Sequence, residues 1–149
     1  GVSNTAQGVN MESKRFGSRI LVRLDPGEEQ VASVQNICEE HGVKLGSVAG
    51  LGAVDRAVIG LFRTDTKVYI KTELKDAFEI VSLLGNVSTM DGKTYLHLHA
   101  TLADEAHNCF GGHLNEADIS ATAEIWIDVV DGEIDRAFSE KIGLNLIKF

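Results

Sequence analysis

Ile20, Val22 and Leu24 alternate with Arg19, Leu21 and Arg23, and a two-residue period of this kind predicts a strand. The period then changes. Asp25-Pro26-Gly27-Glu28 reads as a helix start: Asp25 can cap, Pro26 suits the first helical position, and Glu28 completes a capping-box spacing. Val31, Val34, Ile37 and Cys38 fall on one helical face, and Gly42 ends the helix. The apolar stripe of that helix needs a sheet to pack on.

The rest of the chain reads as strands. "VKLGSVAGLGAVDRAVIGLFR" is rich in Val and Gly and breaks near Gly50-Leu51-Gly52. "KVYIKTEL" alternates, and "AFEIVSLLGNVS" is apolar and β-rich. Met90-Asp91-Gly92-Lys93 is a hairpin turn leading into "TYLHLHATLA". In "ISATAEIWIDVV", Ile119, Ala121, Ala123, Ile125, Ile127 and Val129 face one way, with Ser120, Thr122, Glu124, Trp126 and Asp128 opposite. Asp131-Gly132 then turns the chain towards the C-terminal segment. Consecutive strands with short turns and one helix predict an α+β fold: a mostly antiparallel sheet with one main helix packed on it.

At 149 residues the chain is the size of one ordinary domain. Residues 1–14, with their Ser, Asn, Gln and Gly, read as a flexible lead-in, and 15–149 as a single domain. The sequence starts Gly1-Val2 and not with Met, which suggests a removed leader and hence an exported protein; cytoplasmic residence is the other expectation. No apolar run approaches the ~20 residues needed to cross a membrane as a helix. The net charge is −8, with 22 acidic and 14 basic residues. Phosphate backbones are gripped by Lys and Arg, so such a chain is a poor unaided DNA binder. Two cysteines, Cys38 and Cys109, are too few for a disulfide framework and read as unpaired thiols, one of them in the core.

The chemistry concentrates in "YLHLHATLADEAHNCFGGHL", residues 95–114, which holds four of the 5 histidines. In a strand, Tyr95, His97, His99 and Thr101 share one face, and Leu96, Leu98, Ala100 and Leu102 share the other. The leucine face belongs to the core, so both imidazoles project from the opposite face. Side chains two residues apart stand ~6.5–7 Å apart at the backbone, close enough to lean onto one metal ion. Gly111-Gly112 permits a tight return that brings His113 to the pair. Three His with an open fourth position is the pattern of a catalytic-type zinc centre, so Zn is the expected metal. Ordinary surface histidines are the competing reading. His107, in "DEAHN", and His41, at the helix end, read as solvated. Cys109 is a candidate fourth ligand, disfavoured because Phe110 changes the facing.

With "RLDPGEE" before the helix and "GSVAGLGAV" after it, the series "FEIVSLLGNVS", "YLHLHATLAD", "GGHL" and "TAEIWI" resembles the plant and prokaryote conserved (PPC) domain over residues 18–149. The resemblance implies a largely antiparallel sheet assembled as a homotrimer. It implies a metal, typically zinc, on His97, His99 and His113. In plants the domain follows AT-hook segments that bind DNA. Here the only proline is Pro26, no Arg-Gly-Arg-Pro core exists, and the charge is −8, so the DNA association is an analogy only.

Two functions follow as expectations. The first is a zinc-binding homotrimeric PPC module, DNA-associated or serving protein assembly. The second is a zinc-dependent hydrolase or lyase acting on a small molecule near the metal, for which Glu79 is the candidate general base. The competing reading of Glu79, and the favoured one, is an ion pair with an arginine across the sheet or at a subunit interface. "GLGAVD" lacks the third Gly of a dinucleotide fingerprint, and Ser82, Ser88 and Thr101 lack a nucleophile-elbow setting. Trp126 among polar neighbours reads as an interface residue.

Overall fold

The computed structural model describes residues 2–4 and 11–149, with side chains from residue 12 onward. Residues 1 and 5–10 lie outside the described residues, and with them most of the expected lead-in. The end of that stretch differs from expectation. Met11–Phe16 is a strand (β2), preceded by a short β1 at Val2–Asn4. β2 pairs antiparallel with β3, Arg19–Leu24, through Phe16↔Arg19 to Glu12↔Arg23. Glu12, Lys14 and Arg15 are exposed while Ser13 is buried, and so polar a composition reads as coil.

β3 alternates as expected, with Ile20, Val22 and Leu24 wholly buried. The single helix among the described residues, α1, spans Gln30–Glu40 and buries Val34, Ile37 and Cys38. It starts later than the sequence suggests. Asp25 and Glu28 do pair: the Asp25 N–H donates to Glu28 Oε2 at 2.7 Å, and the Glu28 N–H to Asp25 O at 3.2 Å. That pairing closes a turn ahead of the helix. The turn is tied to a distant strand, because Gly27 N–H donates to Ile119 O and Ile119 N–H to Glu28 O. Backbone groups spent on a strand cannot enter a helix, so the cap falls on Glu29. The helix ends with Gly42 N–H on Glu39 O and Val43 N–H on Cys38 O, a Schellman pairing.

Three long strands and a shorter one build the body: β4, Gly46–Arg63; β5, Val68–Met90; β6, Lys93–Ala103; and β7, Cys109–Val129. β4 pairs β5, β5 pairs β6, β6 pairs β7, and β7 pairs β4, all antiparallel, so the four close a ring of ladders. β3 joins the C-terminal half of β7. A hairpin of β8, Asp135–Ser139, and β9, Leu144–Lys148, attaches to β5 by the parallel pair Thr89↔Asp135. The sheet is thus mostly antiparallel and carries one helix, as expected. "KVYIKTEL" and "AFEIVSLLGNVS" belong to one strand. The Asp91-Gly92 turn has positive φ at both residues, 52° and 76°, and joins Met90 to Lys93.

Two bulges reset the faces. In β7 the ladder to β4 slips between Ala123 and Ile119, so Ala121, expected on the core face, is exposed. In β5 it slips between Ile80 and Ser82, so Glu79 and Val81 are exposed while Leu83 is wholly buried.

Candidate metal centre

A strand's alternation does most of the assembly. On β6 the buried row is Leu98, Ala100 and Leu102, with Leu96 partly covered. Burying each leucine contributes roughly 1.5–3 kcal/mol, which fixes the strand's rotation and leaves His97 and His99 on the other face. β7 supplies the third imidazole through the Cα pair His99↔His113. Directly opposed residues of an antiparallel pair project from the same face. Gly111 and Gly112 sit opposite Thr101 and Ala100, as part of β7 and not as a turn.

The ring centroids lie 4.9 Å apart for His97–His99, 5.4 Å for His97–His113 and 5.8 Å for His99–His113. One donor nitrogen from each falls within a group no wider than 4.8 Å, and His97 Nε2 and His99 Nε2 are 3.1 Å apart. Tetrahedral ligands at ~2.0–2.1 Å from zinc stand about 3.3 Å from one another, so these side chains fit the ion with small adjustments. Burial depresses the His97 imidazole below its ordinary value, with His99, His113 and Arg136 adding to the effect. Burial and His99 do the same to His113. Both favour the neutral form, the one that binds metal.

The neighbours hold this arrangement. The Tyr69 ring meets His113 edge-on, centroids 6.1 Å apart at 89°, and its hydroxyl accepts a hydrogen bond from Asn115 Nδ2 at 2.8 Å. Gly60 is the Cα partner of His113, and a Cβ there would lie 2.1 Å from Tyr69 Oη. Asn86 is the Cα partner of His97 and accepts from Arg136. None of Tyr69, Gly60, Asn86 or Arg136 stands out in the sequence, since distant segments bring them together.

The other candidates lie elsewhere. Cys109 is exposed and opposes Ala103, at the far end of the pairing that places His113 against His99. Glu79 opposes Ala53 and Ala103, away from the histidines, and forms no ion pair within the chain among the described residues, so it is neither a base at the histidines nor paired with an arginine across the sheet. His107 is exposed, as expected. His41 is not simply solvated: its Nε2 is buried and has no partner among the described residues. Both thiols are free, and burial pushes Cys38 up to about 12. Trp126 is half-exposed and packs near Phe16.

With the three imidazoles converged on strands of this topology, the profile of the Plants and Prokaryotes Conserved (PCC) domain matches residues 11–131. The chain belongs to the PCC-domain family. Solved PCC-like structures superpose over nearly the whole chain. A metal-containing protein from Archaeoglobus fulgidus is 34% identical, with a TM-score of 0.82, covering 95% of this chain and 98% of its own. A PPC protein from Pyrococcus horikoshii is 32% identical, with a TM-score of 0.81 and coverage of 93% and 94%. A candidate DNA-binding protein from Bacteroides thetaiotaomicron is 29% identical, with a TM-score of 0.91 and coverage of 93% and 97%. No functionally curated sequence matches the chain.

Proposed function

We propose that this PCC-domain protein is a zinc-binding homotrimer that serves as an assembly unit, DNA-associated only through partners. The observation that carries the metal reading is the convergence of His97, His99 and His113 within 4.8 Å, on the face turned away from the core. A donor set of imidazoles without carboxylates suits zinc better than magnesium or calcium. Three protein ligands leave a fourth position at which zinc, when bound, polarises whatever it holds. The metal-containing relative from Archaeoglobus fulgidus supports the same reading.

The homotrimer is supported by apolar side chains left open on the single chain. Leu61 and Leu84 are each 58% exposed, and Val81 is 56%. Contiguous exposed apolar patches mark interaction surfaces, and Leu61 is the Cα partner of Ile70, itself 48% exposed. Against direct DNA binding stand the charge of −8 and the state of the arginines. Arg19, Arg23, Arg56 and Arg63 are all paired with carboxylates, Arg56 with three of them. A zinc hydrolase or lyase needs a base at the bound water. The donor group contains no carboxylate, and Glu79 lies elsewhere.

The deciding experiment is metal analysis beside molar mass, on wild type and on the His97→Ala, His99→Ala double variant. We expect about one zinc per wild-type chain, none in the variant, and the same folded signal in both, because the leucine face is untouched. Absence of metal from wild type purified without chelators overturns the metal reading, and a monomer mass overturns the trimer.

A further inference from the structure

Arg136, on β8, is a buried cation with no carboxylate against it among the described residues. It is 8% exposed. Its Nε donates to Ser88 Oγ at 2.7 Å, its Nη2 to Asn86 Oδ1 at 2.9 Å, and its Nη1 to the Asn145 carbonyl at 3.0 Å. Its Cζ lies 4.8 Å from the centre of the Tyr95 ring. All four partners are neutral. Asp135, next in the chain, directs its carboxylate to Thr89 Oγ1. Taking a charge out of water is costly, and neutral hydrogen bonds offset only part of that cost.

These contacts place the guanidinium beside the histidines. Asn86 opposes His97, so the two share a face, and Tyr95 stands two residues before His97 on that same face. Arg136 therefore lies at the Tyr95 end of the row Tyr95, His97, His99, Thr101. At the other end, His99, Ser82, Thr101, Gly111 and Gly112 help line a cavity of about 240 Å³. Ser82 opposes Thr101, so two hydroxyl side chains stand on the histidine face there.

Charge then decides the ligand. The imidazoles bind metal as neutral groups, and the donor cluster holds no acid. A divalent ion adds two positive charges to the one on Arg136, in a chain whose net charge is −8. We propose that the open metal position takes the carboxylate of a small organic acid. The acid sits in the cavity beside His99, and Arg136 is the fixed cation that favours an anion over a neutral ligand. This inference rests on the metal reading above.

Cobalt(II) separates the two ideas, because its visible absorption reports its ligands. Bound cobalt is quantified first, then acetate and its neutral analogue acetamide are titrated separately. Acetate is expected to shift the spectrum and saturate, and acetamide to leave it unchanged. Arg136→Gln should retain cobalt and weaken acetate about five- to thirty-fold. One charge acting across two to four strand residues, roughly 7–13 Å, through an effective dielectric of about 20–40 gives an effect of that order. Arg136→Lys should keep most of the affinity. Cobalt bound, but a spectrum indifferent to acetate or equally sensitive to acetamide, overturns the anion proposal and leaves the metal reading standing. So does unchanged acetate affinity in a folded Arg136→Gln. No cobalt on wild type overturns both. Should Arg136→Gln fail to fold, the acetate and acetamide titrations of wild type decide.

Discussion

His97 and His99 announce themselves because the period of a strand is a local property. Leu96, Leu98, Ala100 and Leu102 assign the core face, and the imidazoles take the other by elimination. The register that brings His113 opposite His99 is not local, and its Gly-Gly prefix reads as a turn where the structure has a strand. Tyr69 was illegible for the same reason: β4 and β5 must pair before it meets His113. Its place depends on Gly60, whose missing side chain makes room for the phenol. We predict that Gly60→Ala displaces the Tyr69 ring, the movable partner, and frees His113 to rotate. Supports behind a ligand are worth 10–100-fold in metal affinity when lost. Competition with a chromophoric chelator should show zinc held at least about ten-fold more weakly, with the thermal unfolding of the metal-free protein little changed. Equal zinc affinity would mean that His113 is held by its strand alone.

The helix shows how a correct local pattern can be attached to the wrong element. The Asp25–Glu28 spacing is real and its hydrogen bond forms, but long-range bonds to Ile119 hold that segment out of the helix. The working cap, Glu29, is a residue whose type does not advertise the role. Its carboxylate accepts from Val31 N–H and Ala32 N–H, at 2.9 Å each, and from Ala117 N–H on β7, also at 2.9 Å. One side chain thus caps the helix and fastens it to the strand that carries His113. Glu29→Ala leaves those three donors without their acceptor and should cost about 2–4 kcal/mol, read as a lowered urea midpoint with unchanged slope. A loss below about 0.5 kcal/mol would show that water replaces the carboxylate freely.

The neighbouring Glu28 behaves differently. Burial raises its pKa above the ordinary carboxyl value, outweighing the lowering by the Asp25 N–H. A raised folded pKa means that the folded state holds the proton more tightly, so this group costs stability as pH climbs from its unfolded value through its folded one. Glu28→Gln keeps an oxygen acceptor for Asp25 and cannot ionise. Relative to wild type, the variant should therefore gain stability between pH 4 and pH 7, whatever its constant offset. Denaturant melts across that range test it, and a difference that stays flat or falls contradicts the burial argument.

At the scale of the whole molecule, a ring of ladders, a helix over β6 and β7, and a C-terminal hairpin account for the buried core, yet leave large apolar side chains uncovered. Leu84 is the informative one. It is the Cα partner of His99, shares its face, lines the cavity beside it, and is 58% exposed. A leucine there gains nothing from the chain's own core, and at a charge of −8 the surface does not lack polar residues to put in its place. If copies of the chain meet across this face, the leucine is covered and the metal centre lies close to the seam. Leu84→Asp tests that placement, since an aspartate buried without a partner in an interface costs several kcal/mol, while on a free surface it costs almost nothing. Wild type is expected near three times 16.1 kDa by light scattering, and Leu84→Asp near a single chain with its circular dichroism retained. A variant that keeps the wild-type mass would move the interface to another apolar patch, such as that around Leu61, and would detach assembly from the metal face.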